Sequence, residues 1–149
     1  MGRIENHPSL SNYKEGGHYA MTQNRTDLIQ YRLSRAYESL DEAKILSQSG
    51  HWNTVANRLY YAAFYAVSAL LIRNEILATT HSGVKSNFHM HFIKTNLVEK
   101  SFGQLYSNLF NKRQEGDYQD FQFFEEETIL PLIDKTFVLI KTIEKHLLN

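Results

Sequence analysis

The side chains best suited to chemistry fall in three places: Arg58 with Tyr61 and Tyr65, then His81, then the run Arg113-Gln114-Glu115-Gly116-Asp117-Tyr118. Arg58 and Arg113 are permanent cations suited to holding an anion, while His81 and Tyr118 carry protons that can be transferred. Arg113 and Asp117 stand at an i, i+4 spacing, which suits an ion pair on a helix surface or at a helix end. Tyr118, next in sequence, suits a core plug with its hydroxyl at the rim. Arg58 opens a stretch without charge and shares a helical face with Tyr61 and Tyr65. A partly buried guanidinium needs a partner, and Asp117 is the expected one. Arg58, Tyr61, Tyr65 and Arg113 are therefore the candidate ligand-binding residues.

Histidine is the other chemical resource, at His81, His89 and His91. On a helix, His89 and His91 point about 200° apart and cannot share one ion, and the i, i+4 spacing of helical zinc ligands is absent. No metal site and no cofactor are expected. His91 shares an apolar stripe with Phe88 and Phe92 and is expected at the core. His81 falls where a third helix should start. The tyrosines of the uncharged stretch have no cation beside them in sequence, so core and dimer packing is their default role rather than base stacking. There is no P-loop, no G-x-G-x-x-G, no nucleophile-elbow G-x-S-x-G and no internal repeat.

These residues sit in a chain of 149, enough for one core and too short for two. Lys and Arg number 16 and so do Asp and Glu, so no global field draws in polyanions and any nucleic-acid site must be local. The absence of Cys excludes disulfides, thiolate zinc sites and a cysteine nucleophile, and makes the reducing cytoplasm the expected compartment. Aromatic residues reach 13%, which suits a packed core, and two Pro with seven Gly leave room for long uninterrupted elements.

The positioning elements follow from periodicity. Residues 1–22 show no apolar period and no secretory h-region, and read as a disordered tail. A purine-rich coding stretch over Lys14-Glu15-Gly16 would place a translation start at Met21, making that tail a non-native start. A single helical domain is expected over 23–149. Ile29, Leu33, Ala36, Leu40, Ala43 and Leu46 mark one face of a first helix opened by Thr26-Asp27 and closed near Gly50. From Trp52 to Arg73, the run LYYAAFYAVSALLI carries no charge and is expected to be buried nearly all round. The uncharged run falls short of a membrane span, so a central core helix, also facing a second subunit, is the reading.

A loop is expected over Asn74 to Thr80, then a short helix capped by Ser82, then a helical stripe of Phe102, Leu105, Tyr106, Leu109 and Phe110 ending in the polar run Asn111 to Gln119. Ile129, Ile133, Phe137, Ile140, Ile143 and Leu147 define a last helix, with Glu125-Glu126-Glu127 at its positive end. It begins either within a turn of Pro131 or near Asp120 with a kink at the proline. No alternating stretch of useful length occurs. The expected architecture is all-α, an up-and-down bundle of four or five helices.

The run Asn57-Arg58-Leu59-Tyr60-Tyr61-Ala62-Ala63-Phe64-Tyr65-Ala66, then Ala69-Leu70-Leu71, His81-Ser82-Gly83-Val84 and Arg113 through Tyr118, resembles the HEPN domain family (higher eukaryotes and prokaryotes nucleotide-binding) over about residues 26–148. The resemblance implies a helical bundle that homodimerises and often pairs with a minimal nucleotidyltransferase as toxin and antitoxin. Active members are metal-independent ribonucleases that use an Arg followed after four to six residues by a His. That motif is missing here: Asp117-Tyr118 stands where the His would follow Arg113, and Arg73 precedes His81 by one residue too many. Cleavage of RNA without a metal needs an acceptor for the 2′-hydroxyl proton, a donor to the leaving oxygen and a cation for the charged phosphorane. Arg113 supplies the cation. The candidate catalytic set is Arg113, Asp117, Tyr118 and His81, with His81 or Tyr118 serving only if folding brings it beside Arg113.

Three functions stay open. The leading one is a binding subunit for nucleotide, RNA or protein, with little or no catalysis, in a two-component system with a nucleotidyltransferase-like partner. The others are a ribonuclease toxin with a diverged site, and a structural helical homodimer. None involves a membrane.

Overall fold

A computed structural model describes residues 18–120 and 122–148, with side chains from residue 23 onward. The expected tail before residue 18 lies outside the described residues. Helix α1 spans His18–Ser47, α2 Trp52–Arg73, α3 His81–Phe88, α4 Lys100–Tyr118 and α5 Glu126–Leu147, and a π-helical turn, His89–Ile93, continues α3. Among the described residues there is no strand. The all-α bundle is as the periodicity implied.

Helix α2 is the axis, and α1, α3, α4 and α5 all pack on it. Ala56, Ala62, Ala63, Ala66 and Ala69 are fully buried along it, and these small side chains let neighbouring helices approach closely. Leu33, Ala36, Leu40 and Ala43 from α1, Leu105, Tyr106 and Leu109 from α4, and Ile129, Ile133, Ile140 and Ile143 from α5 complete one core. Helix α2 is long and apolar enough to cross a membrane, but 78% of its most apolar 18-residue stretch is buried inside the bundle. Most of its uncharged run thus lies in the protomer's own core, with Tyr61 and Phe64 left partly exposed.

Several local expectations are corrected. Helix α1 begins at His18, ahead of Thr26-Asp27, taking in the end of the segment read as tail. Thr80, not Ser82, caps α3: its Oγ1 accepts from the Gly83 amide at 2.9 Å. The polar run after Phe110 does not end α4 but remains helical to Tyr118, because its outward face needs no apolar residue. Helix α5 starts at Glu126, so Pro131 sits in its second turn, closer to the first of the two expected starts.

The π-turn changes which histidine faces inward. Its wider loop, with the Lys94 amide donating to the His89 carbonyl at 2.8 Å, advances the chain by an extra residue per turn and rotates the residues that follow. His91 is consequently exposed rather than at the core. His89 takes the inward position, with Nδ1 2.9 Å from the Lys85 carbonyl and Nε2 3.2 Å from the Gly103 carbonyl. Gly103 permits that approach, since a Cβ there would lie 3.0 Å from Ile93 Cγ2 and 3.3 Å from His89 Nε2.

Candidate functional site: an arginine over paired tyrosines

The site lies where the C-terminal end of α4 meets the N-terminal half of α2, and Asn53 helps to hold those ends together. Asn53 in the first turn of α2 donates from Nδ2 to the Gln122 carbonyl at 2.6 Å and accepts at Oδ1 from the Phe124 amide at 2.9 Å. It thereby clamps the α4–α5 connection from both sides. Gly116 makes room, because a Cβ there would lie 3.2 Å from the Phe124 ring.

Against this frame Arg113 reaches back over α2. Its Nη2 donates to the Tyr61 hydroxyl at 3.2 Å and lies 3.5 Å from the Tyr118 hydroxyl. Its guanidinium carbon is 5.6 Å from the ring centroids of both Tyr60 and Tyr61 and 5.5 Å from that of Tyr118. Asp117 Oδ2 is 3.4 Å from Nε, with Arg113 itself only 13% exposed. That N–H does not point along the contact, so Nε is buried without a hydrogen-bond acceptor. The same carboxylate oxygen accepts from Asn57 Nδ2 at 2.9 Å. The charge of Arg113 therefore rests on three tyrosines and one imperfectly aligned, shared carboxylate.

His81 flanks the same two rings. Its Nδ1 is 2.7 Å from the Tyr60 hydroxyl, and its ring centroid lies 5.7 Å from Tyr60, 5.8 Å from Tyr61 and 4.8 Å from Phe64. Burial, and after it the positive charge of Arg113, hold its pKa below the ordinary histidine value. It is therefore the neutral imidazole at pH 7. Burial pushes the Tyr60 hydroxyl up to about 12, so Tyr60 stays protonated and serves to orient His81.

The fold thus brings together Arg113, Asp117, Tyr118, Tyr61 and His81. Several assignments change. Arg58 does not meet Asp117: its Nη1 pairs with Glu42 on α1 at 3.0 Å, and Nε and Nη2 donate to Asn57 Oδ1 at 3.1 and 2.9 Å. Asn57 is the link between the two arginine groups, and sequence reasoning overlooked it although it opens the Asn57-Arg58 pair. Tyr118 is 71% exposed and plugs nothing. Tyr65 points to a different neighbourhood, with Arg35 and Arg32 of α1 5.0 and 5.9 Å from its ring. The tyrosines also have cations beside them after all, since Arg58 lies 5.1 Å from the Tyr61 centroid and Arg113 arrives from another helix. No cluster of three or more His, Asp or Glu arranged to hold a metal occurs among the described residues.

A cation with incompletely matched charge, a neutral imidazole and an exposed phenol around a pair of tyrosine rings can bind a phosphodiester and exchange protons with it. Comparison with known proteins gives the same frame a family. The chain is 41% identical over 118 residues to a "UPF0332 protein" of Thermotoga maritima, covering 79% of this chain and 89% of that one. It is 31% identical over 121 residues to a "Putative toxin" of Methanocaldococcus jannaschii, covering 81% and 82%. A second "Putative toxin" of the same organism is 31% identical over 99 residues, covering 66% and 74%. The sequence profile of the HEPN domain matches residues 29–146, from the first buried turn of α1 to the end of α5, and the chain belongs to the HEPN domain family.

Proposed function

We propose that this protein is a toxin-type HEPN component that engages single-stranded RNA at the Arg113 cleft, acting in the cytoplasm as a homodimer under the control of a nucleotidyltransferase-like partner. The observation that carries the RNA reading is Arg113 itself, whose guanidinium lies over Tyr60, Tyr61 and Tyr118. Tyr60 is fully buried and supports the guanidinium, while the exposed Tyr118 ring and the half-buried Tyr61 ring beside the cation suit a base next to its phosphate. The toxin reading draws on the printed names of the two Methanocaldococcus relatives.

A second reading, metal-independent cleavage of that RNA, is favoured by the position of His81. The family's downstream histidine is missing in sequence, yet His81 reaches the same ring pair as Arg113 from the start of α3. Nε2 can take the 2′-hydroxyl proton when the ring carries its own proton on Nδ1, donated to the Tyr60 oxygen. The 2′-oxygen then bonds to phosphorus, the bond from phosphorus to the 5′-oxygen breaks, and the Tyr118 hydroxyl gives its proton to that oxygen. Arg113 stabilises the extra charge on the phosphorane, and the products are a 2′,3′-cyclic phosphate and a 5′-hydroxyl.

Incubating purified protein with cellular RNA in a chelating buffer tests both readings, with Arg113→Ala and His81→Ala as controls. Binding without cleavage, weakened by Arg113→Ala, supports the first. Cleavage lost in both variants supports the second. Neither binding nor cleavage removes RNA from the function.

A further inference from the structure

Next to the Arg113 cleft, between α3 and α4, lies an open groove of about 690 Å³ bordered by Thr80, Ser82, Lys85, Ser86, Ser107 and Phe110. It has the size of small-molecule sites. No carboxylate lines it, although the chain holds as many acids as bases. The Lys85 ammonium lies 4.6 Å from the Phe110 ring centroid and makes no ion pair among the described residues. Hydroxyl groups supply the other polar contacts. Thr80 Oγ1 already accepts from the Gly83 amide, so its own hydrogen is free to donate, and Ser107 Oγ stands 3.3 Å from His89 Nε2. His89 is held at Nδ1 by the Lys85 carbonyl and at Nε2 by the Ser107 hydroxyl or the Gly103 carbonyl, so this wall of the groove is built rather than loose.

The groove and the cleft share a wall. Phe110 and Arg113 are one turn apart on α4, and both rest on Tyr60, at 5.9 and 5.6 Å from its ring centroid. A chain with a repeating phosphate and a repeating flat base would meet Arg113 and Tyr61 in one place and Lys85 and Phe110 in the next.

We infer that the α3–α4 groove is a second nucleotide subsite, taking the unit of single-stranded RNA next to the one at Arg113, with its phosphate on Lys85 and its base on Phe110. This rests on the RNA reading of the Arg113 cleft. The lysine stem is flexible enough to lift the ammonium from the ring to a phosphate, exposing the face on which a base stacks.

The test is the affinity of a 2′-O-methyl oligoribonucleotide of about 12 units, within the span of known single-strand sites and lacking the hydroxyl needed for transesterification. It is measured across a salt series for wild type, Lys85→Ala, Lys85→Arg, Phe110→Leu and Arg113→Ala, all checked for an unchanged melting temperature. Lys85→Ala is expected to weaken binding and flatten the slope of log affinity against log salt by about 0.7, one released counterion, and Lys85→Arg to restore both. Phe110→Leu is expected to weaken binding by roughly 5- to 150-fold at every salt concentration with the slope unchanged. If Lys85→Ala and Phe110→Leu bind like wild type while Arg113→Ala is impaired, the subsite is overturned and the RNA reading survives. If wild type binds no RNA, both fall.

Discussion

His81 Nδ1 and the Tyr60 hydroxyl lie 2.7 Å apart, joining the first residue of α3 to the fully buried middle of α2. Because burial and then Arg113 lower the His81 pKa, protonating this imidazole works against the folded state.

The sign of the resulting pH dependence is fixed. A histidine whose folded pKa lies below its unfolded value of about 6.5 binds fewer protons when folded, so stability rises with pH through that window. The contribution is complete above the unfolded pKa and is lost as pH falls through the folded one. The melting temperature of wild type should therefore drop more between about pH 7 and pH 5 than that of His81→Gln, which has no proton to gain. Parallel curves for the two proteins would show that His81 is not held neutral by the fold.

The Arg58 ion pair offers a test on a smaller scale. Its Nη1 and Glu42 Oε1 are 3.0 Å apart, with side chains 25% and 43% exposed, so water screens the pair. A double-mutant cycle of Arg58→Ala and Glu42→Ala should give a coupling of about 0.2 to 1 kcal/mol. A coupling of several kcal/mol would mean a desolvated pair of the kind first expected between Arg58 and Asp117.

What the sequence made legible follows from the range of the forces involved. The span of α2 was readable because a charge-free run between Arg58 and Arg73 has only one good solution, burial. The Asn74 to Thr80 loop and the α4 stripe were readable for similar local reasons. Partner choice was not: Glu42 and Asp117 are both plausible carboxylates for Arg58, and only the packing of α1 on α2 decides between them. The exchange of His91 for His89 was hidden too, because a period of 3.6 presumes a regular α-helix and the π-turn at His89–Ile93 breaks that assumption. The arrival of His81 beside the rings under Arg113 depends on three helices docking. Its one sequence signal was its place at a helix start, ahead of a cap whose identity was misread.

Gly103 should be intolerant of even one added carbon. An alanine Cβ would meet Ile93 Cγ2 at 3.0 Å, Ile93 Cγ1 at 3.1 Å and His89 Nε2 at 3.3 Å. Overpacking costs about 1 to 3 kcal/mol, while the gain in helix propensity returns just under ~1 kcal/mol. Gly103→Ala should thus be net destabilising in urea unfolding, and in an Ile93→Ala background, which lacks both clashing γ carbons, the same substitution should cost less. A stabilised single variant would mean that the π-turn yields easily.

Asn53 braces the connection after α4 while touching none of the candidate catalytic groups in its hydrogen bonds. Removing its amide in Asn53→Ala leaves the Gln122 carbonyl and the Phe124 amide without their partners. The cost of partly buried orphaned groups is about 1 to 3 kcal/mol. More telling is where the loss appears. The connection after α4 should open locally, so amide exchange at Phe124 should accelerate well beyond that of core amides such as Leu70 in α2. Since Arg113 depends on the C-terminal end of α4 for its reach over Tyr60 and Tyr61, RNA affinity should fall in the same variant. A variant with accelerated exchange at Phe124 and unchanged RNA affinity would show that Arg113 is positioned by the tyrosines alone, without help from the clamp.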